Sequence, residues 1–336
     1  MEFRSPVETA ATNSATALLP TLVVGASPLR RRRLRHRNVT TCTANVAGIE
    51  PLCQTKKVML LHFSKCSGTM VCELAKKAGC GTWKDGANCA TRRREYQDGP
   101  WWIPHRQEAS AWHRKNFGYD ASPERLGAGR VSCAARLVDA PAFHAVESAL
   151  PGGKACPGFF SIALMRPPLE RLVSHSMELA KWGMVVPSKQ GFCRNYSHMR
   201  ALAPPVYDNY YVRMLLGEQG VAAPVGSLTR EHLVRARRVL STLDLVLDSN
   251  EPRTPLALHY ATGLANFTAC RAPSSQQWRC AMSEEDSARA VRDNALDLKL
   301  YAFAKNLSEG HVTEILRRAT HPTQPQATRH YPSVEA

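Results

Sequence analysis

Acidic residues are scarce in this chain, long apolar runs are scarcer, and several familiar nucleotide and metal signatures are missing. Asp and Glu total 28 against 44 Lys and Arg, a formal net charge of +16. A deficit of that size favours an anionic partner: a nucleotide, nucleic acid, an anionic glycan or a membrane surface. Part of it is local, because six arginines lie between Arg30 and Arg37, a stretch that reads as a solvated linker or targeting element. The remainder is still basic. No run approaches the ~20 apolar residues that a spanning helix needs. Ala15–Ala26 is short, contains Pro20, and has its arginines after it rather than before it, so no transmembrane segment is read. No CxxC pair has matching histidines, which leaves no zinc site to read. GxxxxGK[ST] is absent too, which argues against an ATPase or kinase that seats Mg²⁺ on such a loop. There is no internal repeat.

What is present suits a folded α/β protein. The 336 residues are 44% hydrophobic, enough for one large domain or two small ones. Residues 1–55, rich in Ala, Thr, Pro and Arg, read as a leader or linker; 56–320 read as the folded domain and 321–336 as a polar, disordered tail. There are eleven cysteines. Cys80 with Cys89, and Cys270 with Cys280, bracket loop-like stretches and suit short disulfide staples in an oxidising compartment. Sequons at Asn38, Asn195, Asn266 and Asn306 point to the same compartment. The secretory lumen is the favoured location, with an organelle transit peptide as the alternative, against which Glu2 and Glu8 speak.

Val58–Phe63 (VMLLHF) is a continuous apolar run of strand length, as expected of a central parallel strand buried on both faces. The small residues of Ser64–Thr69 predict a loop, and Met70–Ala78 a helix. A second buried strand is predicted at Phe159–Met165, followed by a helix from about Leu169 to Trp182. Helices are also predicted at Tyr207–Leu216, from Thr229 to Leu240, and as one long element over Ser283–Leu307 with Ser283 as its N-cap. A short strand is predicted at Leu243–Leu247. Buried strands alternating with helices predict a parallel sheet flanked by helices.

Two segments carry chemistry. In His62-Phe63-Ser64-Lys65-Cys66-Ser67-Gly68-Thr69, small residues between strand and helix let backbone N–H groups converge on an anion at a helix N-terminus. Lys65 adds a mobile positive charge. In the second segment, Leu164 to His175, Arg166 ends a strand and Ser174 lies about two turns into the next helix, so both can reach a phosphate. In a doubly wound sheet both segments open onto the carboxyl edge, where ligands bind.

On these segments the chain resembles the sulfotransferase family, in particular membrane-associated carbohydrate sulfotransferases that begin with a His-x-x-Lys-x-x-Gly-Thr loop. Leu164–Pro168 with Arg171–His175 is similar to that family's 3′-phosphate segment. Asp208–Gly217, Thr229–Leu247 and Asn294–Tyr301 also follow its pattern, so the resemblance runs from Val58 to Leu307. It implies a P-loop three-layer fold and a co-substrate, 3′-phosphoadenosine 5′-phosphosulfate (PAPS), used without a metal. It implies that Lys65, Cys66, Ser67, Gly68 and Thr69 bind the 5′-phosphate and that Lys65 also acts in catalysis. Arg166 and Ser174 would bind the 3′-phosphate, and Arg213 would add to a phosphate site or contact an anionic acceptor. A general base is implied between the two segments: Glu147 first, His105 next, with His113 and His144 as further candidates. The acceptor would be a hydroxyl of a glycan, anionic or neutral, in the Golgi lumen or elsewhere along the secretory pathway, with no nucleic-acid partner. Ser64, Cys66, Met70 and Pro167 depart from the family pattern. The alternative is therefore a catalytically degenerate relative that binds anionic glycan or nucleotide without turnover.

Overall fold

Four short apolar segments pair into an all-parallel sheet: β1 (Val58–Leu61), β2 (Phe143–Val146), β3 (Phe160–Met165) and β4 (Leu245–Asp248). The computed structural model describes residues 49–84, 88–91, 131–181, 196–202, 204–264 and 282–321. His105, His113, Cys270, Cys280 and the sequon asparagines 38, 195 and 266 lie outside the described residues.

The strand order is β2-β1-β3-β4, with Leu60 paired to Ala145 on one side and to Ile162 on the other. Chain order therefore reverses across β1: β2 joins one side of it and β3 the other. That is the place where a doubly wound sheet opens a crevice at its carboxyl edge. Both faces of the sheet are covered, so β1 has no polar face and reads as an unbroken apolar run. One core takes Met59, Leu61, Val146, Ala163, Met165 and Val246; the other takes Val58, Leu60, Phe143, Ala145, Ile162 and Leu247.

Ten helices are described. They are α1 (Gly68–Lys77), α2 (Cys133–Asp139), α3 (Pro168–Lys181), α4 (Tyr196–Leu202), α5 (Tyr210–Leu215), α6 (Glu218–Ala222), α7 (Arg230–Ser241), α8 (Thr254–Thr262), α9 (Glu284–Asp293) and α10 (Ala295–Thr320). Val71, Leu74 and Ala75 of α1 and Ala257 and Leu258 of α8 pack on one face of the sheet. Leu172 of α3, the α5 residues and Leu233, Ala236 and Leu240 of α7 pack on the other. Ser283 is an N-cap as expected, its hydroxyl accepting from the Asp286 N–H at 3.1 Å. The single long helix expected over 283–307 is two helices, broken at Asn294, and the second continues to Thr320.

The break is made by tertiary contacts. The Asn209 side chain accepts from the N–H groups of Leu296 and Asp297, while the Asp297 carboxylate accepts from those of Tyr211 (2.9 Å) and Val212 (3.0 Å). Two helix starts thus cap each other, satisfying donors that a helix cannot satisfy internally. Burial pushes the Asp297 carboxyl up to about 6, against the pull of those two N–H groups. Because the folded value is raised, the stability this group contributes is present below about pH 4 and is lost as pH rises through about 6. Asp297→Asn removes that titration. Between about pH 4 and 7 the stability of the variant is expected to improve relative to wild type by on the order of 2 kcal/mol. Urea unfolding of both proteins across that range checks it; parallel profiles would contradict it.

Three disulfides are present among the described residues. Cys53–Cys80 ties the turn before β1 to the end of α1, Cys72–Cys89 ties α1 to residues 88–91, and Cys133–Cys156 ties α2 to the approach to β3. The expected Cys80–Cys89 staple is thus corrected: each of these cysteines faces a different part of the α1 region. Closing loops of this length stabilises by roughly 3 kcal/mol each, and such bonds fit an oxidising, secretory-type compartment. No helix among the described residues is long and apolar enough to cross a membrane. The sequon at Asn306 lies within α10, where Ser308 is buried and accepts from the Asp248 N–H, so it does not form an acceptor loop.

Candidate functional site at the carboxyl edge of the sheet

The chain leaves β1 through Ser64–Ser67, and Lys65 and Ser67 both adopt the left-handed conformation, with φ of 70° and 69°. For residues with a Cβ such backbone stores strain, typically of order 1–3 kcal/mol, and it clusters where structure serves a site. The turn closes through the Cys66 N–H to the Phe63 carbonyl, and the Ser67 carbonyl accepts from Met70 and Val71 to start α1. The N–H groups of Ser67, Gly68 and Thr69 find no acceptor among the described residues. Three successive donors at the positive end of a ten-residue helix are the arrangement that an anion cradle requires. Lys65 is half-buried beside it, and Thr69 is exposed at its rim.

Gly68 has a specific reason to be glycine. A Cβ there would sit 1.9 Å from Cδ2 of His62 and 2.3 Å from its Nε2. The His62 ring is buried at the end of β1, with Nδ1 3.7 Å from Glu147 Oε2. Glu147 follows β2 directly and so reaches the same edge beside His62. It is 8% exposed, and Asn88 Nδ2 makes a long contact of 3.5 Å to it. Of the proposed bases, Glu147 alone among the described residues is brought beside the cradle. His144 is fully buried against Phe159, and burial, reinforced by Arg136 and Lys57, holds its pKa down to about 3.

Arg166 follows β3, the neighbour of β1, and so opens onto the same edge as Lys65. Its guanidinium is partly exposed and pairs with Glu170 one turn along α3 at 3.2 Å. Ser174 is half-buried on the same helix. Two tyrosines of α5, quoted within a motif but given no role from the sequence, join the loops. Tyr210 accepts from the Ser64 N–H at 3.1 Å. The Tyr211 hydroxyl lies 3.1 Å from Cys66 Sγ and donates to the Arg166 carbonyl at 2.8 Å. One side chain thus touches both loops.

Two expected phosphate ligands turn inward instead. The Cys66 thiol is buried and faces Tyr211; burial pushes it up to about 11, against the pull of the Tyr211 hydroxyl, Arg171 and Arg166, so it stays protonated. Arg213 is fully buried, and its five N–H donors all have internal acceptors: the Asp208 carbonyl and carboxylate and the carbonyls of Gly220, Ala223 and Pro224. It braces the corner from α5 to α6, with every guanidinium N–H already taken.

Comparison with known protein families finds no family model that matches the chain, and no curated protein matches it.

Proposed function

We propose that this protein transfers a sulfuryl group from PAPS to a hydroxyl of a glycan on a P-loop type α/β scaffold in the Golgi lumen. The observation that carries the reading is the run of N–H groups at Ser67–Thr69 with no acceptor among the described residues, next to Lys65 in the loop and one strand from Arg166. Glycine at 68 lets the His62 ring pack against the loop and so seats that ring between the loop and Glu147. The donor supplies an activated sulfuryl group on a phosphate: the acceptor oxygen–sulfur bond forms as the sulfur–oxygen bond to that phosphate breaks. The Ser67–Thr69 N–H groups and Lys65 bind the 5′-phosphate and stabilise the charge that builds on it as it leaves. Arg166 and Ser174 hold the 3′-phosphate and so fix the nucleotide in register. Glu147, placed beside His62 and within reach of Asn88, accepts the proton of the acceptor hydroxyl.

Transfer of labelled sulfate from PAPS to a panel of glycans tests this, with Glu147→Gln as the control. Wild type is expected to label an acceptor, and the variant to bind nucleotide but label nothing. Tight nucleotide binding by wild type without labelling of any acceptor would favour the degenerate relative.

The Arg166–Glu170 pair gives a further expectation. The Glu170 carboxylate competes with any phosphate for the guanidinium, so Glu170→Gln should tighten binding of 3′-phosphoadenosine 5′-phosphate by roughly two- to fivefold, the scale of an exposed ion pair. Calorimetry measures this directly, and weaker binding in the variant would show that Glu170 aligns Arg166 instead.

A further inference from the structure

Arg171, one turn into α3, is a buried cation with no carboxylate partner among the described residues. It is 0% exposed, and Nη2 donates to the Val206 carbonyl at 2.8 Å, while Nε and Nη1 have no acceptor among the described residues. Its guanidinium instead lies over the ring of Tyr210, 4.3 Å from the centroid, and within 5.8 Å of that of Tyr211. These are the two tyrosines whose hydroxyls hold Ser64, Cys66 and Arg166. Charges of both signs lie around it: Cys66 senses both Arg171 and Arg166, His175 both Arg171 and Lys65, and Tyr210 both Arg171 and Glu147, although no carboxylate among the described residues pairs with the guanidinium. Asp297, the buried carboxylate within its field, is held by the Tyr211 and Val212 N–H groups. A buried guanidinium left this way is costly to the fold, and cation–π contact offsets only part of that cost.

We propose that Arg171 is a positioning residue of the nucleotide site. Touching no ligand, it supports both loops through the two tyrosine rings and places under the cradle a positive charge that a bound phosphate compensates. The inference rests on the nucleotide-binding reading above. It has a signature that an ordinary structural arginine lacks: removing the charge weakens binding without weakening the empty fold.

The test is calorimetry with 3′-phosphoadenosine 5′-phosphate and thermal unfolding without ligand, on wild type, Arg171→Met and Arg171→Lys. Arg171→Met should bind about tenfold more weakly and unfold at or above the wild-type temperature. Arg171→Lys, which keeps the charge, should bind within about threefold of wild type. Unchanged affinity in a folded Arg171→Met overturns the proposal, as does a tenfold loss in Arg171→Lys. If Arg171→Met does not fold, Arg171→Lys decides. Failure of both to fold also overturns it, because the residue is then a keystone of the core. A wild type that binds no nucleotide sinks the cofactor reading and this inference with it, whereas a wild type that binds and variants that bind equally well sink the inference alone.

Discussion

Lys65→Ala is expected to slow sulfate transfer by roughly 10²–10³-fold, the usual consequence of removing one fixed group that stabilises developing charge. The comparison is clean because of the backbone. Lys65 sits at a φ of 70°, where lysine and alanine carry the same Cβ penalty, so the substitution removes the amine and leaves the strain of the turn in place. Any change in unfolding temperature then reports only the contacts of the amine, while turnover collapses. Labelled-sulfate kinetics together with a melting curve separate the two effects. A variant that loses turnover only because it unfolds would contradict the assignment, as would one that retains wild-type turnover.

Gly68→Ala should be damaging although it adds a single methyl group. At a helix start alanine is ordinarily the better residue, by up to about 1 kcal/mol over glycine. Here the added carbon would stand 1.9 Å from a buried imidazole, and forcing such contacts costs roughly 1–3 kcal/mol. Relief requires the His62 ring to move, and that ring packs between the cradle and Glu147. The variant should melt lower and bind nucleotide at least about tenfold more weakly. The mechanism is checked in a His62→Ala background, where the methyl has room: there Gly68→Ala should cost little or even stabilise. An equal loss in both backgrounds would mean that the clash is not with His62.

Much of this fold was legible in the sequence because β1, β3 and β4 are buried on both faces and so read as apolar runs. β2 was missed as a strand: Phe143–Val146 is four residues long, and its one polar member, His144, is buried without a visible local reason. Local pattern also joined α9 to α10, since the break at Asn294 comes from contacts with Asn209 and Tyr207, some 85 residues away. The cradle was legible for a different reason. Strand, small-residue loop and helix are contiguous, so the order of Lys65, Ser67, Gly68 and Thr69 already implies where their backbone points. Side-chain direction was not legible. Cys66 and Arg213 have the right chemistry for a phosphate, but one turns onto Tyr211 and the other is consumed by Asp208 and three carbonyls. Nor does composition reveal that Tyr211 touches both loops or that Arg171 lies beneath them; both depend on α5 crossing under the ends of β1 and β3.

At the centre of the account is one nucleotide held at both of its phosphates by two neighbouring strand ends. Calorimetry with 3′-phosphoadenosine 5′-phosphate and with adenosine 5′-phosphate, on wild type and on Arg166→Ala, tests it most directly. Omitting the 3′-phosphate should weaken binding to wild type by at least about tenfold, and binding to Arg166→Ala by no more than about twofold. Equal affinity of wild type for the two nucleotides would contradict it.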